Sequence, residues 1–122
     1  MTNTSAAVSN DDLLYLGEHV IQINTAGFLL NFNDWNEEVA ERLAVIDKLE
    51  LKRIHWVILR FLRQYFTEYA TPPSPKLVKK MVSRQMGIPG FSNKQILQIF
   101  PLGGCRQACR LAGLPRHFSY AC

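Results

Sequence analysis

Apolar residues fall into two regimes along this chain, a short alternating stretch near the N-terminus followed by runs stepped at three and four residues. Residues 1–10 are small and polar with no apolar period, so a flexible leader is expected over residues 1–13, with the fold starting near Tyr15. Residues 19–24 set Val20, Ile21 and Ile23 among polar neighbours, Thr25-Ala26-Gly27 offers a turn, and Phe28-Leu29-Leu30-Asn31-Phe32 is strand-like again. That pattern predicts a β-hairpin.

Helical spacing takes over from there. Asn33-Asp34 offers an N-cap, and Glu37 and Glu38 place negative charge in the first turn of a helix expected over residues 35–46. Over residues 51–69, Ile54, Ile58, Phe61, Leu62, Tyr65 and Tyr69 form one stripe, widened by Val57 and Phe66, which predicts a central core helix. Lys52-Arg53 puts positive charge at the end of that helix where the dipole disfavours it. Pro72 and Pro73 stop it, and residues 76–86 turn Leu77, Val78, Met81 and Val82 inward as a further helix. Ser92 caps a short helix ending at Pro101, and a last helix over residues 105–112 is stopped by Gly113 and Pro115. The expected fold is mainly α with a small N-terminal β-hairpin (α+β). A helical domain with that hairpin is expected over residues 14–113, the helix pair before and after residues 71–75 giving it a helix-turn-helix-like core, and a mobile C-terminal arm is expected over residues 114–122.

A chain of 122 residues with 48% hydrophobic and 20% charged residues suits one globular domain. The net charge of +4 conceals an asymmetry: residues 1–50 carry nine acids and two bases, residues 51–122 one acid, Glu68, and twelve bases. The basic half suits an acidic protein, a phosphate backbone or an anionic sulfur substrate. No secretory signal or membrane-length apolar stretch is present, so a cytoplasmic location without membrane insertion is expected, where cysteines are thiols with chemistry more often than structural bridges. All three cysteines lie in the last 18 residues.

On a helix, Cys105 and Cys109 share a face with Cα atoms about 6 Å apart, but their Cβ atoms point the same way, which strains a direct bridge. Cys109 is expected to be the better placed for exchange with Cys122, from which twelve residues separate it, because a nine-residue arm spans on the order of 30 Å. Arg106 and Arg110 flank Cys109, and Arg116 and His117 lie on the arm, so cations that favour thiolates are within sequence reach. The α-carboxylate carried by Cys122 works against its thiolate.

The runs Asn31-Phe32-Asn33-Asp34-Trp35, His55-Trp56 ahead of Phe61-Leu62-Arg63, and Gln107-Ala108-Cys109-Arg110-Leu111-Ala112-Gly113-Leu114-Pro115 are similar to the DsrC/TusE/DsvC family. The resemblance implies a sulfur carrier, not a self-contained enzyme. Cys122 would hold sulfur as a persulfide or trisulfide, and Cys109 would attack it and close a disulfide. It also implies partners among sulfurtransferases of the Tus/DsrEFH type, sulfite reductase, and a thiol-disulfide or heterodisulfide-type reductase. A TusE-like role in tRNA 2-thiouridine formation is the alternative. The chain departs from the family pattern in its two-residue longer arm, in having Cys122 as its last residue, and in Cys105, where family members carry a non-thiol residue.

Two rival readings stand beside it. Cys105, Cys109, His117 and Cys122 are zinc-ligand types, but their C-x3-C-x7-H-x4-C spacing matches no common zinc module, and no cofactor or metal is expected. Lys76, Lys79, Lys80 and Arg84 on the second helix of the helix-turn-helix-like pair keep nucleic acid open as a partner, although a solvated face is the plainer reading. Trp35 and Trp56 read as core aromatics, His55 as a helix-start residue with a local hydrogen bond, and His19 as a strand residue without a role.

Overall fold

The computed structural model describes residues 13–115, which form a two-stranded antiparallel sheet and five helices. β1 (Leu13–Leu16) pairs with β2 (His19–Gln22), Leu14 opposite Ile21 and Leu16 opposite His19, through a turn with Gly17 at φ 59°. The hairpin therefore lies one strand earlier than expected. The segment predicted as its first strand is its second, and residues 28–32 contribute an isolated bridge, Ile23 to Leu29. Leu13-Leu14-Tyr15-Leu16 hides its alternation because all four side chains are apolar or aromatic; only packing separates buried Leu14 and Leu16 from exposed Tyr15. Downstream, the chain bends away before a ladder can extend. The Asn24 side chain accepts from the Ala26 and Phe28 N–H groups at 2.9 and 3.0 Å, and Asn31 accepts from the Asn33 N–H at 2.9 Å, starting a 3-10 turn over Phe32–Asp34.

Because that turn uses Asn33 and Asp34, α1 (Glu37–Ile46) starts later than expected, capped by Asn36, whose side chain accepts from the Val39 N–H at 2.9 Å. It buries Val39, Ala40, Leu43 and Ala44. α2 (Arg53–Tyr69) is the predicted central helix, with Ile58, Leu59 and Leu62 buried, although Tyr69, the last residue of the expected stripe, is 60% exposed. Its start has bases instead of acids, and His55 supplies the missing cap: the Lys52 N–H donates to His55 Nδ1 at 2.9 Å. His55 is more than a local cap. It is buried, its Nε2 hydrogen-bonds the Ile99 carbonyl at 2.7 Å, and its ring meets Phe100 edge-on.

α3 (Pro75–Met86) begins at the expected break, with Ser74 accepting from the Leu77 N–H, and buries Val78, Met81 and Val82 against the core. α4 (Asn93–Ile99) opens with a reciprocal cap between Ser92 and Gln95. α5 (Cys105–Leu111) packs against both α1 and α2, while α3 packs on α2 as the helix-turn-helix-like pair. One continuous core runs from Leu14 and Leu16 on the hairpin to Leu111, Ala112 and Leu114 at the far end of the described chain.

Candidate functional site

α5 has only seven residues, too few to hold itself, and its position is fixed by side chains from elsewhere. At its C-terminal end the Leu111 carbonyl accepts from Trp35 Nε1 at 2.8 Å, and the Ala112 carbonyl accepts from Arg63 Nη1 at 2.9 Å. Arg63 also donates through Nη2 to the Phe32 carbonyl at 3.1 Å, and its guanidinium lies over the rings of Phe32 and Trp35, 3.8 and 4.4 Å from their centroids. Burial lowers the Arg63 pKa to about 10, so it stays charged at neutral pH.

The chain then leaves the helix by a route with no slack. Gly113 has φ 77°, and a Cβ there would fall 2.7 Å from Trp35 Cδ1 and 3.0 Å from Leu29 Cδ1. Leu114 is fully buried, and its N–H donates to the Cys109 carbonyl at 3.0 Å. The three sequence runs that carried the family resemblance thus meet in space: Phe32 and Trp35 from the first and Arg63 from the second close around Leu111, Ala112 and Gly113 of the third. Together they fix the backbone of Leu111–Gly113 near the end of the described residues.

On another side, α5 is locked to the end of α1. Gln107 is buried; its Oε1 accepts from the Leu102 N–H at 2.8 Å and its Nε2 donates to Asp47 Oδ2 at 2.9 Å. The same Asp47 oxygen is ion-paired with Arg110, the two side chains being only 7% and 13% exposed. Arg110, expected as a cation for the thiols, is therefore committed to a carboxylate. Arg106 is exposed on the next turn.

The two cysteines of α5 differ sharply. Cys109 has no exposed surface, and burial pushes its thiol up to about 12. The structure thus reverses the expected order of access: with the helix anchored at both ends, position 109 faces the core. Cys105, one turn earlier, is half-buried at the rim and is disulfide-bonded, whereas Cys109 is free. Cys122, Arg116 and His117 lie outside the described residues, as does half of the zinc-ligand set. Trp35 and Trp56 are partly buried against the core, His19 is exposed on β2, and Lys76, Lys80 and Arg84 are exposed on α3. Asp47, Gln107 and Arg63 were not among the expected site residues. The one sequence signal for Asp47 was an isolated acid directly after the apolar end of α1.

No helix among the described residues is long and apolar enough to cross a membrane. A profile of the family described as DsrC like protein matches residues 16–119. Sulfurtransferase TusE of Photorhabdus laumondii is 31% identical over 104 residues, which is 85% of this chain and 93% of the relative. The TusE homolog of Haemophilus influenzae is 31% identical over 96 residues, 79% of this chain and 88% of the relative. Among solved structures, the oxidized gamma-subunit of the dissimilatory sulfite reductase (DsrC) from Archaeoglobus fulgidus superposes with a TM-score of 0.78 at 33% identity, covering 85% of this chain and 95% of that one. DsrC of Allochromatium vinosum gives a TM-score of 0.76 at 38% identity, with 85% and 93% coverage. On both the sequence and the structural comparison, the chain belongs to the DsrC-like family.

Proposed function

We propose that this chain is a sulfur-relay protein that carries sulfur on Cys122 and hands it to other proteins of sulfur metabolism. The observation that supports it most is the anchored end of α5. Trp35, Arg63 and Gly113 fix the backbone at Leu111–Gly113, and Cys122 stands seven residues beyond Pro115. Seven residues extend at most about 23 Å, enough to carry a sulfur from the body to a partner's site. In the loading step the Cys122 thiolate attacks the outer sulfur of a donor persulfide. A new sulfur–sulfur bond forms on Cys122, and the donor leaves as its thiolate.

Partners of the Tus/DsrEFH sulfurtransferase type and sulfite reductase fit this role, with a thiol-disulfide or heterodisulfide-type reductase restoring the thiols in a cytoplasmic setting. The likeness to TusE sulfurtransferases favours a second route, in which the same sulfur enters tRNA thiolation.

Incubation of the reduced protein with a small-molecule persulfide, followed by intact mass spectrometry, tests the proposal. Sulfur taken up by the wild-type chain, retained as one added sulfur or released as hydrosulfide, and none taken up by Cys122→Ser is the expected result. Equal loading of the two would overturn it.

A further inference from the structure

Cys109 is fully buried, as is Leu114, whose N–H is bonded to the Cys109 carbonyl, so its thiol reaches solvent only when the core around it opens. Its raised pKa, about 12 against the ordinary 9.0, also lowers its thiolate population at neutral pH by about a thousandfold. The first obstacle does not apply to Cys105. It stands half-buried at the rim of the core after exposed Leu102 and Gly103, and it is the cysteine of the pair that is disulfide-bonded. α5 is about 10 Å long, so a segment of up to about 23 Å folding back from Pro115 can bring Cys122 to the far end of the helix.

We infer that Cys105, and not Cys109, is the thiol that pairs with Cys122 and resolves the sulfur it carries, an assignment that rests on the relay reading only for its second step. In the pairing step, two thiols reduce one low-molecular-weight disulfide: the Cys105–Cys122 bond forms, and the disulfide leaves as two thiols. In the resolving step, the Cys105 thiolate attacks the inner sulfur of the Cys122 persulfide. The bond to the outer sulfur breaks, and that sulfur departs as hydrosulfide with the bonding pair. The resolving step consumes no oxidant beyond the persulfide itself, and a dithiol later reopens the bridge while becoming a disulfide itself. Cys109 is then a small apolar filler under the exit of the chain.

The test uses the full chain, reduced and then exposed to oxidised glutathione, with peptide mapping under non-reducing conditions. A Cys105–Cys122 bridge is expected in the wild type and in Cys109→Ala. In Cys105→Ser, Cys122 is expected to hold glutathione as a mixed disulfide. A Cys109–Cys122 bridge in the wild-type chain would overturn the assignment. A second arm loads Cys122 from a persulfide and follows hydrosulfide release. Cys105→Ser is expected to slow release at least tenfold and Cys109→Ala to leave it within twofold of wild type; the reverse pattern overturns the assignment while leaving the relay intact. Should Cys122 take up no sulfur in any variant while the Cys105 bridge still forms, the relay reading falls and the pairing stands.

Discussion

Gly113 carries more constraint than any other glycine in the described chain. Its positive φ and the 2.7 Å approach of a Cβ to Trp35 Cδ1 both forbid a side chain. Gly113→Ala is expected to cost about 2–4 kcal/mol from strain and overpacking together, read as a lower urea midpoint. Trp35→Phe keeps most of the packing and removes one hydrogen bond to Leu111, at a cost of about 1 kcal/mol. If the two variants cost the same, the steric account of position 113 is wrong. His55 makes a pH-dependent contribution. Burial is the main cause of its lowered pKa, with Lys52 acting in the same direction and the bond to Ile99 opposing both. Since Nδ1 accepts from the Lys52 N–H, the neutral ring is the one that fits. The unfolded chain then binds a proton near 6.5 that the folded chain refuses, so this stability is complete above pH 6.5 and is lost as pH falls through the depressed folded value. Thermal midpoints should drop from pH 7 toward pH 5, and His55→Gln should flatten that slope; an unchanged slope would remove His55 as its source.

Among the helices, caps were legible only in part. Ser92 marks its helix in the sequence alone, whereas the cap expected at Asn33-Asp34 lies at Asn36 because the 3-10 turn takes up the earlier residues, and Ser74 caps α3 where the sequence showed only a proline-rich stop. The hairpin was misplaced by one strand because the alternation of residues 13–16 exists in burial and not in residue type. The seat of α5 was the least legible, since it depends on Asp47, Gln107, Arg63 and Trp35, 49 to 76 residues apart in the chain from their partners on or beside α5, apart from the local Gln107–Leu102 bond. That is also why Cys109 looked the better placed of the two cysteines: periodicity puts residues 105 and 109 on one face without saying how deep each sits. The link between α1 and α5 has its own test. Asp47→Ala leaves the Arg110 charge largely buried without its carboxylate and should cost about 2–4 kcal/mol in urea unfolding. A change under about 0.5 kcal/mol would show that the pair is not holding α5.

Over the whole molecule, the division between an acidic first half and a basic second half is partly spent inside the fold. Both ion pairs among the described residues cross that division, Asp47 with Arg110 and Glu37 with Arg60. The exposed Glu37–Arg60 pair adds little stability; its fit is in orientation. Lys52, Arg53, Arg60, Lys76, Lys80, Arg84, Lys94 and Arg106 stay exposed, so among the described residues only Arg63, Lys79 and Arg110 are drawn partly into the fold and most of the basic surface is open to partners. Which sulfur is loaded decides the proposed relay. Two single-cysteine chains decide it, one retaining only Cys122 and the other only Cys109, each given a persulfide donor under native conditions and mapped by peptide mass spectrometry. The account predicts one transferable sulfur on the Cys122 chain and none on the Cys109 chain until denaturant is added. Sulfur taken up by the Cys109 chain while the Cys122 chain remains bare would contradict it.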